Sequence, residues 1–309
     1  MVHFNKLRFE VNHDLILSMI DGKVSQALTH TSSSQVCIIC AATPSQMNDL
    51  DTVCSRAISR EALKYGISPL HSYNRFYECC LHIMYRQDIK KWRISAGPDK
   101  DQFQKKKKEI QDKLRQELGL IVDIPLQGSG TSNDGNSARI FFNNYEIVHR
   151  ITGMDLELLK RFAVILKAIN SGLDLDYIKF NKYCLDTAKH YVKTYRWYYM
   201  PRSVHQILIH GMDIISNFAL PIGLLSEEAQ EALNKIIRDT KEHRTRKRTK
   251  LICNEDLMKT LLLKSDPLVS SMRTCSNEPK KRDKYSKRVL QDEVLSLVIS
   301  DPESSSESP

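Results

Sequence analysis

Two pairs of metal-binding residue types set the strongest limit on how this chain folds. Cys37 and Cys40 form a CxxC, and His205 and His210 follow in the last third of the chain. Two thiolates at the first spacing can grip one tetrahedral metal, with bonds of about 2.3 Å. A CxxC also suits redox chemistry, or two small core residues. The histidines suit a metal equally, or stand as two unrelated residues of one helix. An ideal helix turns positions five apart by roughly 140°, so joint binding asks for a bend. Gly211, directly after His210, makes a helix end there cheap. A short helix from Ser203 to Gly211 is therefore expected. If a single zinc takes both pairs, it staples the start of the chain to its last third. Much of the tertiary stability then depends on metal.

Composition allows such a core. The chain has 309 residues, enough for one large domain or two ordinary ones, and 41% are hydrophobic. No apolar run approaches the ~20 residues of a bilayer span, so no membrane role is expected. The opening residues MVHFNKLRFEVNHD lack the apolar centre of a secretory signal, which predicts a cytosolic or nuclear chain. Eight cysteines are sparse for this length, and free thiols or a metal site are expected rather than disulfide staples. Basic residues number 46 against 37 acidic ones, a formal charge of +9 that favours an anionic partner.

Periodicity points to a mostly helical chain with some strand at its start. Leu7 to Ile20 is rich in branched and apolar residues and reads as one or two strands ending at Asp21-Gly22. Helices are expected over 24–29, 52–65, 70–91, 99–118, 137–151, 155–170, 174–196 and 226–248. Leu70, Tyr73, Phe76, Tyr77, Cys80, Leu81 and Met84 recur at helical spacing. Gly119 ends the charged helix, Asp174 and Ser226 are candidate caps, and 127–135 has turn composition. From about Cys275 the chain is basic and then serine-rich, and 263–309 is expected to be a disordered tail.

Charge is unevenly placed. Asp21 ends an apolar stretch, as metal-holding acids often do, although an Asp-Gly turn looks the same. Glu227, Glu228 and Glu231 sit where a helix start favours acids. Arg238, Lys241, Arg244, Arg246, Lys247 and Arg248 crowd the far end of that helix, more than its dipole asks for. They suit phosphate contact or nuclear import. The loop before Asn136 and Arg139 suits backbone approach to a phosphate, or ordinary capping of the next helix.

In order, Asp21-Gly22-Lys23-Val24, Cys37–Pro44, Gly135–Arg139, His205–His210 and Glu228–Lys235 resemble the catalytic region of Transib-type transposases. That family includes vertebrate V(D)J recombination-activating protein one. The resemblance spans roughly residues 7–260. It implies a partial RNase-H-like α/β element, over 1–30, with a large inserted zinc-binding helical region over 31–215. A catalytic-type helix and basic segment would follow over 216–262. By the same match Cys37, Cys40, His205 and His210 are the zinc ligands, and Asp21 and Glu231 are two of three catalytic acids. Those acids would hold Mg²⁺ or Mn²⁺ in a cutting enzyme. The family's first aspartate has no match here. The implied function is therefore a nuclear transposase or recombinase endonuclease fragment that binds zinc and double-stranded DNA, with cleavage left open. Arg139, Lys235, Arg238, Lys241, Arg244, Arg246, Lys247 and Arg248 would meet the DNA. A homodimer or a partner recombinase subunit would complete the assembly. The alternative expectation is a zinc-stabilised scaffold that binds protein.

Overall fold

A computed structural model of the chain describes residues 2–4, 7–9, 22–126, 131–225, 228–276 and 292–299. They form two compact units. The first comprises Met1–Ser226 with Ser296–Pro309, and the second Glu227–Leu295.

The first unit opens with strands β1 (Val2–Phe4) and β2 (Leu7–Phe9), paired antiparallel with Val2 opposite Phe9. Helices α1 (Gly22–Thr29), α2 (Leu50–Cys54) and α3 (Arg60–Leu63) follow. Next come α4 (Pro69–Arg86), α5 (Pro98–Leu118), α6 (Gly135–Asn143) and α7 (Tyr145–Thr152). Then α8 (Leu156–Ile169), α9 (Tyr177–Tyr195) and α10 (Arg202–Ser216) complete the helical body, with a 3-10 turn at Ile222–Leu225.

The expected RNase-H-like α/β element is not found. Among the described residues, β-structure is the β1–β2 ribbon and two isolated bridges, Pro125 with Thr131 and Leu175 with Val298. A two-stranded ribbon of three-residue strands cannot make the layer against which helices pack in an α/β fold. Residues 10–21, which hold most of the expected strand, lie outside the described residues. The apolar residues that build the core belong to helices instead, and the chain is mostly α.

The centre of this body is α8. Leu158, Leu159, Phe162, Ala163, Val164, Ile165 and Leu166 are all fully buried, while Glu157 at its start remains exposed. Asp155 starts it by accepting from Leu158 N at 2.7 Å. Helix α4 lies across it and presents the apolar stripe expected from its spacing. Phe76 meets Phe162 edge-on at 4.7 Å, and Tyr77 meets Phe141 of α6 at 4.9 Å. Tyr191 of α9 stacks on Phe162 at 6.3 Å. Burying each such ring contributes on the order of 2 kcal/mol before conformational entropy is subtracted.

Several boundaries differ from expectation for local reasons. The stretch 137–151 is two helices, because the Asn144 side chain turns back to donate to Ile140 O at 2.8 Å. Asp176 rather than Asp174 caps α9, accepting from Ile178 N and Lys179 N. Gly211 does not end α10, which continues to Ser216. Its missing side chain serves packing: a Cβ there would come within 3.1 Å of Phe180 of α9. Gly119 does end α5, with φ of +67°.

Within the stretch expected to be a disordered tail, residues 263–276 and 292–299 are placed. Val298 bridges Leu175, Leu297 O accepts from Asp176 N, and Asp174 O accepts from Ile299 N, each bond at 2.9 Å.

The second unit holds α11 (Glu228–His243), α12 (Lys250–Ser265), α13 (Pro267–Ser276) and α14 (Asp292–Leu295). Helix α11 stops at His243, five residues short of the expected Arg248. A turn follows, fixed by Arg246, whose Nη2 and Nε donate to the Asp256 carboxylate at 2.7 and 3.1 Å. Thr249 caps α12 by accepting from Ile252 N.

Candidate metal centre

The segment 37–42 is a tight loop. Cys37 N donates to Ala42 O and Ala41 N to Cys37 O, both at 2.9 Å. Ala41 takes a left-handed φ of 55° to close it. Ser59 N donates to Ile39 O, and Arg56 donates to Cys40 O, which ties the loop to the residues before α3. This geometry turns both sulfurs to one side. There they meet His205 and His210 of α10. The ligand atoms of Cys37, Cys40, His205 and His210 all lie within 4.8 Å of one another.

The helix reaches this arrangement without breaking. The two imidazoles project from faces roughly 140° apart. Their long side chains nevertheless bring the ring centroids to 5.1 Å. The expected bend at Gly211 is not needed.

All four residues are buried, with His205 and Cys37 at 0% exposure. His205 Nε2 faces Cys40 Sγ at 3.3 Å. His205 Nδ1 and His210 Nε2 are buried without a hydrogen-bond partner. Buried polar nitrogens of this kind carry a cost of about 1–3 kcal/mol each unless something satisfies them. A cation between the four ligands satisfies His210 Nε2 and balances the thiolate charge. Tetrahedral zinc with these donors has edges of about 3.4–3.8 Å, so the cluster needs only a small contraction.

Electrostatics agree with a cation site. The hydrogen bond from Cys37 lowers the Cys40 pKa to about 2, and His205 and His210 add to the effect. The same hydrogen bond, with burial, raises Cys37 well above the ordinary thiol range. The pair thus keeps one proton, which a divalent cation would displace. Burial lowers the pKa of His205 and favours the neutral, ligating imidazole.

Three surrounding residues had no counterpart in the sequence reading. Asp213, one turn after His210, lies 3.9 Å from His210 Nδ1, within ion-pair range but too far for a direct hydrogen bond. It places a carboxylate behind the ligand ring. Its i,i+3 spacing from His210 was a usable signal. Arg202 Nη2 donates to Ser25 Oγ at 2.7 Å and Nη1 to Ser34 O at 3.1 Å, joining α1 and the loop before Cys37 to α10. Asn48 donates to Arg196 O and Tyr198 O and accepts from Met200 N, so protein contacts also hold the cysteine segment against the α9–α10 connection.

The other expected site residues do not join this cluster. Asp21 lies outside the described residues. Glu231 falls in the first turns of α11, and its side chain is outside the description. Arg139 lies over the Tyr73 ring at 5.1 Å. Lys235, Arg238 and Lys241 are exposed on α11, and Lys247 and Arg248 are exposed in the turn after it. Arg244 pairs with Asp239 at 2.9 Å and Arg246 with Asp256 at 2.7 Å. No protein-family model matches the chain, and no curated protein matches it. No helix among the described residues is long and apolar enough to cross a membrane.

Proposed function

We propose that this protein is a zinc-stapled helical module that binds double-stranded DNA in the nucleus. The observation that carries the metal half is the four buried ligand atoms within 4.8 Å of one another. Two thiolates and two imidazoles suit zinc better than magnesium or calcium, which prefer oxygen. Four protein ligands close the tetrahedron and leave no open position, so the zinc is structural. The DNA half rests on the exposed cations Lys235, Arg238, Lys241, Lys247 and Arg248, and on the ordered resemblance to Transib-type transposases. Mg²⁺ or Mn²⁺ chemistry at Asp21 and Glu231, and a homodimer or recombinase partner, belong to that resemblance alone.

Zinc per chain, measured for the parent and for Cys37→Ser with His205→Ala, tests the metal half. One zinc in the parent and none in the variant is the expected result. A folded, zinc-free parent sinks it. For the DNA half, duplex affinity should fall steeply with salt and weaken in Lys235→Glu/Arg238→Glu/Lys241→Glu. Affinity indifferent to both favours the second reading, a zinc-stabilised scaffold for protein. The pairing of Arg244 and Arg246 with acids of their own unit supports that second reading.

A further inference from the structure

Both tryptophans of this chain, Trp92 and Trp197, lie in one aromatic cluster at the surface of the first unit. Trp92 rests on Tyr198 at 4.6 Å and on Tyr199 at 5.0 Å, the latter pair inclined by only 38°. Trp197 meets Tyr198 at 5.8 Å and Tyr195 at 6.4 Å. Tyr195 and Tyr198 are buried and form the base, whereas Trp92, Trp197 and Tyr199 remain half-exposed. The core itself is filled by tyrosine, phenylalanine and aliphatic residues.

Cations alternate with these rings along both contributing segments. Lys90-Lys91-Trp92-Arg93 comes from the turn after α4, and Lys193-Thr194-Tyr195-Arg196-Trp197-Tyr198-Tyr199 from the end of α9. All five basic side chains are exposed. Lys91 pairs with Asp99. Lys90, Arg93, Lys193 and Arg196 have no carboxylate within ion-pair distance among the described residues.

The cluster is rigid. Asn48 holds the carbonyls of Arg196 and Tyr198 and the amide of Met200. His82 Nδ1 lies 3.2 Å from the Tyr198 hydroxyl, and the Arg86 guanidinium lies 5.8 Å from the ring centre. A groove of about 630 Å³ opens at Trp92 and Tyr198 and runs past His82, Arg75 and His71 to Ser203. That volume holds a small-molecule-sized group.

We infer that this cluster and groove form a binding site for single-stranded nucleic acid. Half-exposed, preorganised rings offer stacking faces to unpaired bases, and the interleaved cations track the phosphates. A stacked duplex offers its bases no such access. The residues of this site all belong to the first unit, whereas α11 belongs to the second.

The test uses the full-length, zinc-loaded protein and labelled oligo-dT or oligo-rU of about 12 nucleotides. Fluorescence polarisation reads affinity, and intrinsic emission reads the site directly, because both tryptophans lie in it. Saturable quenching should accompany binding. Trp92→Ala or Trp197→Ala should each weaken binding about tenfold, with Trp92→Phe retaining most of it. Arg93→Glu/Arg196→Glu, at exposed positions, should weaken binding and flatten its salt dependence while zinc content stays unchanged. The dT and rU arms decide whether the strand is DNA or RNA. Absence of binding and quenching in the parent overturns the inference. So does oligomer binding undiminished in Trp92→Ala/Trp197→Ala and lost only in Lys235→Glu/Arg238→Glu/Lys241→Glu. Loss of duplex binding alone in that last variant concerns the α11 strip and leaves this site standing.

Discussion

His205 Nε2 lies 3.3 Å from Cys40 Sγ, although the two residues are 165 positions apart in the chain. A contact this short between buried polar atoms ties the loop before α2 directly to α10. It is a direct link between the two halves of the candidate ligand set, and its stability should follow the metal.

Removing the metal should therefore destabilise the first unit as a whole. At free zinc about a thousandfold above its dissociation constant, binding contributes on the order of 4 kcal/mol. For a unit of this size that corresponds to roughly 8–16 °C in melting temperature. A chelator should lower the midpoint by that order, and Cys40→Ser should reproduce the loss without chelator. Calorimetry of the two samples checks this. An unchanged midpoint would show that the four residues hold no metal that matters to folding.

Acid should act through His205 in particular. Its pKa is lowered in the folded chain by burial. The unfolded chain takes up this proton near pH 6.5, and the folded chain resists doing so. Stability is thus fully present above that value and declines as pH falls through it. Cys40, held ionised by the hydrogen bond from Cys37, adds loss in the same direction as pH falls, whereas Cys37, raised above the thiol range, contributes only at alkaline pH. Thermal melts and zinc release from about pH 8 to 5 should show a loss that steepens below about 6.5, where His205 joins Cys40. A profile flat across that range would contradict the assignment.

Asp213 offers a narrower test. Its carboxylate stands 3.9 Å from His210 Nδ1, with its side chain 30% exposed. Asp213→Asn should keep the fold and weaken zinc affinity about tenfold, as loss of a carboxylate behind a ligating histidine commonly does. A competition titration against a chromophoric chelator reads this. Unaltered affinity would remove Asp213 from the site.

Asn48→Ala should be costly for a surface-proximal residue. One side chain satisfies Arg196 O, Tyr198 O and Met200 N, at 3.1, 3.0 and 2.9 Å. Losing all three bonds should cost about 2 kcal/mol and loosen the α9–α10 connection. Urea unfolding measures the first effect. A shift in tryptophan emission measures the second, since Trp197 belongs to that connection.

Spacing made the two pairs legible only as candidates, and the resemblance joined them into the one set that the structure brings within 4.8 Å. Apolar spacing equally identified α4, whose Phe76, Tyr77 and Leu81 are fully buried. What spacing could not supply was tertiary context. Gly211 looks the same in sequence whether it ends a helix or admits Phe180. Asn144 and Asp176 each outcompeted a longer or differently capped helix through one local hydrogen bond. The basic run to Arg248 gave no sign that Arg246 would turn to Asp256 and end α11 early. The apolar opening suggested one or two strands, and the sheet expected around them came from the resemblance; the described residues there supply a ribbon of two short strands.

The pairing of Val298 with Leu175 has a consequence for the order in which the protein is made. His210, the last of the four clustered residues, is made well before residues 297–299, so the cluster can assemble while synthesis continues. The bridging residues 297–299 follow only after the entire second unit has been translated. The first unit is therefore discontinuous along the chain, and this seam waits for residues 297–299. Along the sequence, the second unit lies between two parts of the first. A version joining residue 225 to residue 296 through a short linker should keep the metal staple and the late seam together.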